Sequence, residues 1–176
     1  NLKEVQKASL AGSLRRRKET IGDVDFLVAS KNPEKIMDFF VSLPGIEKVW
    51  GKGKTKSSIH MKDGFDMDLR IVPEKSYGAA LQYFTGSQDH NIVTRKIAIE
   101  KGLKLSEYGV FKGSLQVAGR TEEDVYKAIG LSYIEPELRE NTGEIEASLQ
   151  GKLPKLVELK DIKGDLHCHS NWGELD

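Results

Sequence analysis

Apolar positions along this chain recur with two periods, which predict strands and helices in a mixed order. Alternation with period two indicates strands, in which successive side chains point to opposite faces of a sheet. Alternation is clear over 66–73, and an apolar run follows two aspartates at 23–30. Strands are predicted at 23–30, 46–50, 57–62 and 65–72. Asn32-Pro33 predicts the start of a helix through Leu43, and Ser87 with Gly102 frames a second helix at 87–101.

The order of these elements predicts an α+β fold in two lobes. A mixed sheet with flanking helices is expected over 1–74, and a smaller lobe of helices and short strands over 75–140. Residues 141–162 have no tight periodicity and are interpreted as a linker, which leaves 163–176 as a separate final segment.

Composition narrows the class of protein without identifying a reaction. The chain has 27 basic and 27 acidic residues, with 38% hydrophobic and 31% charged positions, which is typical of a globular, soluble protein. No apolar run is long enough to span a membrane, and there is no signal-peptide pattern. A single cysteine, Cys168, excludes an internal disulfide and favours a reducing compartment. We therefore expect a cytoplasmic monomer with no membrane partner.

Two aspartates at the start of a predicted strand are the first candidates for chemistry. Asp23 and Asp25 are two residues apart, so their side chains project from the same face of the strand. Such hard oxygen ligands suit Mg²⁺. A third carboxylate for a two-metal site would come from Asp66 or Asp68 on a later strand, and spacing alone leaves both open.

The residues before these aspartates fit a phosphate site. The amides of Gly12 and Ser13 and the guanidiniums of 15–17 can hold a phosphate chain beside the carboxylates. Two aspartates with this spacing more often mark a solvated strand edge. Their combination with a Gly-Ser turn and an arginine run favours nucleotidyl transfer.

Three ordered motifs resemble the family X DNA polymerases, the group of DNA polymerase beta. They are GSLRRRKETIGDVDFLV at 12–28, GKGKTK at 51–56 and YFTGS at 83–87, with Asn91, Arg95 and Glu100-Lys101-Gly102 following at the family's spacing. The resemblance extends over about 10–140. It implies a nucleotidyltransferase palm at 1–74 and a thumb at 75–140.

The resemblance implies a two-metal catalytic site. Asp23 and Asp25 would bind both Mg²⁺ ions, for which Mn²⁺ can substitute. Asp68 would complete the catalytic metal site near the primer 3′-hydroxyl, and this selects it over Asp66. The sequence departs from polymerase beta in two places, since Arg17 replaces a small residue and Asp66 replaces a basic one.

The resemblance also implies a site for a deoxynucleoside triphosphate (dNTP) and for DNA. Ser13 and Arg16 would contact the β- and γ-phosphates, and Tyr83 and Phe84 would pack against the sugar. The implied nucleotide-binding residues are Gly12, Ser13, Arg16, Gly22, Tyr83, Phe84, Gly86 and Asn91. Arg95 would contact the template strand.

Local spacing gives independent support for part of this DNA site. Asn91 and Arg95 lie four apart on a predicted helix and share a face, where donors can test minor-groove acceptors without reading sequence. An ordinary exposed polar face is the alternative. Lys52, Lys54 and Lys56 lie in a lysine-rich window without acids and are predicted to contact DNA phosphates, although any single lysine is also typical of a solvated loop.

The final segment, GDLHCHS at 164–170, resembles the start of a PHP phosphoesterase domain. His167 and His169 would bind zinc or manganese there in an intact protein. This chain has only two other histidines, too few to complete such a site. We therefore expect His167 and His169 to bind no metal here.

The expected function is template-directed addition of dNTPs to primed or gapped DNA, as in base-excision repair. Template-independent nucleotidyl transfer to another acceptor is the alternative, and the YFTGS motif and Asn91 argue against it. A non-catalytic DNA-binding module is a third hypothesis, which the three intact carboxylates do not support.

Overall fold

The first lobe is built on a five-stranded mixed sheet. In this computed structural model, which describes residues 2–164 and 166–167, the sheet order is β1-β2-β5-β4-β3. The strands are β1 (Lys7–Leu10), β2 (Asp23–Ala29), β3 (Ile46–Lys52), β4 (Lys56–Met61) and β5 (Asp66–Val72). β2 and β5 are parallel, and the other neighbouring pairs are antiparallel. The predicted α+β class with a mixed sheet is confirmed.

Two helices flank this sheet. α1 (Gly12–Arg15) is a single turn between β1 and β2. α2 (Pro33–Phe40) begins at its proline, and its apolar positions recur at helical spacing. It packs Ile36, Met37 and Phe40 against the sheet. Burying each such side chain stabilises the fold by about 1.5–3 kcal/mol.

A helix that the sequence analysis did not predict joins the two lobes. α3 (Tyr77–Thr85) buries Ala80 and Leu81 in the first-lobe core, whereas Ala79 lies in the second-lobe core. Because the helix is covered on several sides, it lacks the one-sided apolar pattern that reveals a surface helix. A Cβ at Gly78 would lie 2.1 Å from the backbone of Thr121, so glycine permits the close approach of the second lobe.

The second lobe combines helices with a small antiparallel sheet. Its elements are α4 (Gln88–Glu100), β6 (Lys104–Ser106), β7 (Gly109–Lys112), β8 (Leu115–Ala118), α5 (Glu122–Ala128) and α6 (Glu144–Leu149). The side chain of Ser87 caps α4 as predicted, and that of Thr121 caps α5. No helix of the described residues is long and apolar enough to cross a membrane.

The range assigned to a linker, 141–162, begins with ordered structure. α6 lies within it, and Ile145 is only 3% exposed in the core of the second lobe beside Val125. A six-residue helix is too short to produce a clear apolar period. The second lobe therefore extends beyond residue 140, to at least the end of α6.

A buried ion-pair network fixes one lobe against the other. Arg15 of α1 donates to both carboxylate oxygens of Glu122, at 2.9 and 2.6 Å, and Arg139 donates to the first of these oxygens at 2.6 Å. Burial alone would raise the pKa of Glu122, but the two guanidiniums lower it. Removing one partner of such a buried pair typically costs about 3–5 kcal/mol, so this network holds the cleft between the lobes in shape.

Candidate active site

Parallel pairing of β2 with β5 brings the predicted carboxylates together. Asp23 lies opposite Asp66, and Asp25 lies opposite Asp68. Neighbouring strands are about 4.8 Å apart, and residues two apart share a face. The four carboxylates therefore lie on one face of the sheet, with Asp68 beside Asp25.

The electrostatics of this face favour a bound cation. Burial, together with the charges of Asp23 and Asp68, raises the pKa of Asp25 to about 6. Arg70 and Lys56 oppose this shift without cancelling it. Ionisation of Asp25 is therefore unfavourable in the folded chain, and a positive ion among these oxygens would offset the repulsion.

The oxygen donors of this face have the chemistry of a site for a hard divalent cation. Asp68 Oδ2 lies 3.0 Å from the Lys56 ammonium, which supplies a positive charge at the third carboxylate. Within the described ranges, no group of three His, Cys, Asp or Glu side chains converges as a ready-made metal site. The donor set of Asp23, Asp25 and Asp68 nonetheless has the chemistry that hard divalent cations prefer.

Gly12 allows the phosphate turn, which is the predicted phosphate site at Gly12 and Ser13, to lie directly against the carboxylates. Its φ is +62°, and a Cβ at this position would lie 2.0 Å from Asp25 Oδ2. The backbone N–H of Ala11 also donates to the Asp25 carbonyl oxygen at 2.9 Å. Any other residue at position 12 would displace Asp25, which explains the glycine of the first motif.

One arginine of the basic run faces the cleft. Arg16 Nε donates to Glu140 Oε1 at 2.8 Å, and its Nη1 donates to the carbonyl oxygen of Thr85. These contacts orient the guanidinium and leave Nη2 without a bond to either residue. Arg16 is therefore well placed for a phosphate.

The neighbouring arginines, which the basic run alone left open as further phosphate ligands, are bound to acidic residues instead. Arg15 is held by Glu122 and donates to Thr85 Oγ1 at 2.7 Å. Arg17 is 81% exposed and pairs with Glu137 at 3.1 Å. The family resemblance selects Arg16, but the arginine run itself does not separate these roles, because they depend on acids more than 100 positions away.

The predicted residues meet in a cleft of about 670 Å³ between the lobes. Its lining consists of Gly12, Ser13, Arg16, Asp23, Asp25, Tyr83, Phe84, Thr85, Gly86, Gln88, Asn91 and Arg95. Thr85 and Gln88 were missed by sequence reasoning, although Thr85 lies within the YFTGS motif. Gly22 and Asp68 are not part of this lining.

Aromatic rings form one wall of the cleft. The rings of Tyr83 and Phe84 meet edge to face with centroids 5.1 Å apart. The Arg70 guanidinium lies 4.2 Å from the Phe84 centroid, and that of Arg95 lies 5.9 Å from the Tyr83 centroid. This wall offers apolar area for a sugar with cations at its edges.

Asn91 and Arg95 lie on one face of α4, as their spacing predicted. Asn91 is 7% exposed, and its Nδ2 donates to the Tyr83 carbonyl oxygen at 2.7 Å. Its Oδ1 accepts a hydrogen bond from Gln82 at 2.8 Å. Arg95 Nε donates to the Asn91 carbonyl oxygen. One amide hydrogen of Asn91 remains for a ligand, so its predicted base contact stays a prediction.

The three hairpin lysines are exposed, but two of them have acidic partners. Lys52 pairs with Asp38, and Lys56 pairs with Asp68, while Lys54 lies at the tip between β3 and β4. Of the two predicted C-terminal metal ligands, His167 is exposed. His169 lies outside the described residues.

The raised pKa of Asp25 predicts how stability depends on pH. Asp25 binds a proton more readily in the folded chain than in the unfolded chain. Its ionised form therefore lowers the free energy of unfolding above pH 6, and this destabilisation disappears as the pH falls towards 4. Without divalent ions, Asp25→Asn should therefore melt higher than the parent at pH 8. Each 1 kcal/mol corresponds to roughly 2–4 °C. Melting in EDTA at pH 8 and pH 5 measures the difference, which should shrink at pH 5.

Added Mg²⁺ gives this experiment its second arm. The ion should raise the melting temperature of the parent and have a weaker effect on Asp25→Asn, with Asp66→Asn as the matched control. A variant that melts below the parent at both pH values would contradict the electrostatic assignment.

Comparisons with known proteins agree with this geometry. The family model described as DNA polymerase beta thumb matches residues 80–140. The chain is 40% identical over 173 residues to the DNA polymerase/3′-5′ exonuclease PolX of Bacillus subtilis, and the match covers 96% of this chain. It is 33% identical over 144 residues to a repair DNA polymerase X of African swine fever virus, covering 73% of this chain and 78% of the viral protein.

A solved structure is also similar. Leishmania infantum polymerase beta, in a ternary P/T complex, superposes with a TM-score of 0.66 at 27% identity, covering 76% of this chain and 67% of that one. DNA polymerase lambda of Rattus norvegicus is 30% identical over 167 residues. The chain spans 30% of the Bacillus protein and 28% of the rat protein, so it corresponds to a part of each.

Proposed function

Because this chain belongs to the family X DNA polymerases, we propose that it transfers nucleotides from dNTPs to the 3′-hydroxyl of a DNA primer opposite a template. The observation that carries the proposal is the in-register pairing of Asp23 and Asp25 with a second aspartate strand, beside a cleft lined by the phosphate-turn motif. The viral relative's description as a repair polymerase supports a role in DNA repair, and we propose short-gap filling in base-excision repair as that role. A reducing, cytoplasmic setting and a monomeric state complete the proposal.

Two divalent cations belong to this proposal. Asp23, Asp25 and Asp68 would hold them, and Mg²⁺ bound there would neutralise the triphosphate and the attacking oxygen. We assign Mg²⁺ as the resident ion, with Mn²⁺ as a substitute. The raised pKa of Asp25 supports the assignment, because a bound cation favours the ionised carboxylate.

The side chains of the cleft position the reactants. The primer 3′-hydroxyl gives up its proton to solvent water, and its oxygen forms a bond to the α-phosphorus. The bond from that phosphorus to the oxygen bridging to the β-phosphorus breaks, and pyrophosphate leaves with that oxygen. Arg16, steadied by Glu140, donates to the triphosphate and neutralises charge on the leaving pyrophosphate. Tyr83 and Phe84 pack against the sugar, which aligns the α-phosphorus with the primer.

The second lobe contributes contacts to the nascent base pair and to DNA. The second amide hydrogen of Asn91 donates to the minor-groove edge of the incoming base, where all four base pairs present acceptors. Arg95, one turn further along α4, is offered to the template strand. DNA backbone phosphates are contacted by Lys52, Lys54 and Lys56. On binding, Lys52 and Lys56 replace their ion pairs with Asp38 and Asp68 by contacts to phosphate.

A labelled primer on a one-nucleotide gap tests the proposed function. With Mg²⁺ and each dNTP in turn, we expect one-nucleotide extension by the complementary dNTP, and no extension of the same primer as a single strand. Equal addition of all four dNTPs to the single-stranded primer would instead support template-independent transfer. Gap binding without any extension would support a non-catalytic DNA-binding module.

Salt dependence tests the phosphate contacts separately. Lys54→Ala should weaken binding to gapped DNA and reduce the slope of log affinity against log salt by about 0.9, because one fewer counterion is released per phosphate contact. Gel shifts between about 50 and 200 mM salt measure this slope. Lys31→Ala, beyond the opposite end of β2 from Asp23, is the matched control and should leave the slope unchanged. Equal slopes for the parent and Lys54→Ala would remove Lys54 from the DNA site.

A further inference from the structure

The face that bears the catalytic carboxylates continues across two more strands and ends on an exposed tryptophan. Asp66 lies opposite His60 of β4, and His60 lies opposite Lys48 of β3. Trp50 follows at an irregularity in β3, and its Nε1 donates to Asp66 Oδ1 at 3.0 Å. The indole therefore lies on the same face of the sheet as Asp68.

Three neighbours hold the indole in one orientation, yet most of it stays exposed. The Lys48 ammonium lies 3.9 Å from the ring centroid, and the ring of His60 meets the indole edge to face with centroids 6.0 Å apart. Asp66 fixes the ring N–H. Trp50 nonetheless remains 54% exposed. A side chain that served packing would bury more of this area, since burial is the main source of its stabilising energy.

Asp66 has a structural task in this arrangement. The Asp66 carboxylate accepts hydrogen bonds from both Trp50 and His60. The Asp66–His60 distance is 2.7 Å, with His60 Nδ1 as the donor. Asp66 therefore fixes the orientation of the Trp50 indole.

The surroundings identify the class of ligand. Lys48, Lys52, Lys54, Lys56 and Lys62 occupy a stretch of sequence without acids, and the first three of these lie on the exposed strand β3 or its turn. An exposed aromatic ring beside a track of cations is how proteins hold nucleic-acid strands without reading sequence, since every nucleotide offers an apolar face. Lys48 and Lys56 lie on the carboxylate face with the ring, opposite His60 and Arg70. Lys52 instead pairs with Asp38 of α2, on the other face of the sheet.

We propose that Trp50 is a contact for the primer strand of DNA, which packs a base or deoxyribose near the 3′-terminus onto its exposed ring while Lys48 meets the adjoining phosphate. The inference rests on the proposed function, because it places the primer terminus at Asp68. Asp66 and His60 are positioning residues that act through Trp50.

Fluorescence reports on this contact without any need for catalysis. The sequence has two tryptophans, so Trp172→Phe leaves Trp50 as the sole indole. Gapped DNA should quench its emission as binding proceeds, whereas a dNTP with Mg²⁺ should not. If a gel shift shows DNA bound while the emission stays constant, the inference is overturned and the proposed function stands. If no DNA binds, both fail.

Affinity gives the second measurement. Trp50→Ala should raise the Kd for gapped DNA roughly 5- to 150-fold, the range for loss of one aromatic stacking contact. The KM for dNTP should rise by a smaller factor. Trp50→Phe should recover part of the affinity, because it keeps an aromatic face but loses the bond to Asp66. Phe39→Ala, at an aromatic residue 51% exposed on α2, is the matched control. Equal Kd values for Trp50→Ala and Phe39→Ala would overturn the proposal.

Discussion

Replacing Asp25 or Asp68 with asparagine is expected to abolish primer extension, whereas the same change at Asp66 should cause a smaller loss. Each of the first two changes removes a negative oxygen from the proposed metal site and leaves the shape of the side chain almost unchanged. A bound metal ion stabilises the charge of the transition state by several kcal/mol, so its loss should lower the extension rate by more than about a hundredfold. Single-turnover extension on a one-nucleotide gap measures the loss.

Asp66 is a matched control for this experiment because it lies two residues from Asp68 on the same face of β5. Circular dichroism of all three variants should match the parent, since none of these carboxylates is part of the apolar core. If Asp66→Asn is inactive and Asp68→Asn retains activity, then Asp66 is the third ligand. The assignment of the primer terminus to Asp68 would fail with it.

Arg16→Ala is expected to raise the KM for dNTP and to lower kcat. A charged hydrogen bond to a phosphate that gains charge in the transition state affects both quantities. The expected loss is roughly 2–3 kcal/mol, or about 30- to 150-fold in kcat/KM. Steady-state kinetics at saturating gapped DNA measures both values.

The adjacent arginine provides the control for this variant. Arg17 is exposed and pairs with Glu137 away from the cleft lining, so Arg17→Ala should change kcat/KM by less than a few-fold. Arg16→Lys keeps the charge but cannot reach Glu140 and Thr85 with the same fork of donors, and it should recover only part of the loss. Unchanged dNTP kinetics in Arg16→Ala would remove the triphosphate from this part of the cleft.

The sequence predicted the strands that bear the site because their signals are local. Asp66–Val72 alternates polar and apolar residues, and Asp23–Ala29 is an apolar run opened by two aspartates, so both signals are visible within seven residues. The glycine at position 12 marks a turn without knowledge of its partner. α3 was missed because it is apolar on several faces and lacks a one-sided period. α6 was missed because it is short.

Roles that depend on distant partners could not be predicted from sequence. The three consecutive arginines look equivalent, but Glu122 draws Arg15 into the joint between the lobes and Glu140 turns Arg16 towards the cleft. Likewise, the indole of Trp50 is fixed by Asp66, sixteen residues away on a strand that is not its neighbour in the sheet. In both cases tertiary packing decides what a local pattern leaves open.

Calorimetric titration of a dNTP into this chain tests the central claim most directly, namely that the carboxylate face and the phosphate turn together hold a metal–dNTP complex. The account predicts binding in the presence of Mg²⁺, loss of binding in EDTA, and strongly weakened binding in Asp25→Asn, while Asp66→Asn binds like the parent. Binding that is equal with Mg²⁺ and with EDTA, or that survives unchanged in Asp25→Asn, would contradict it.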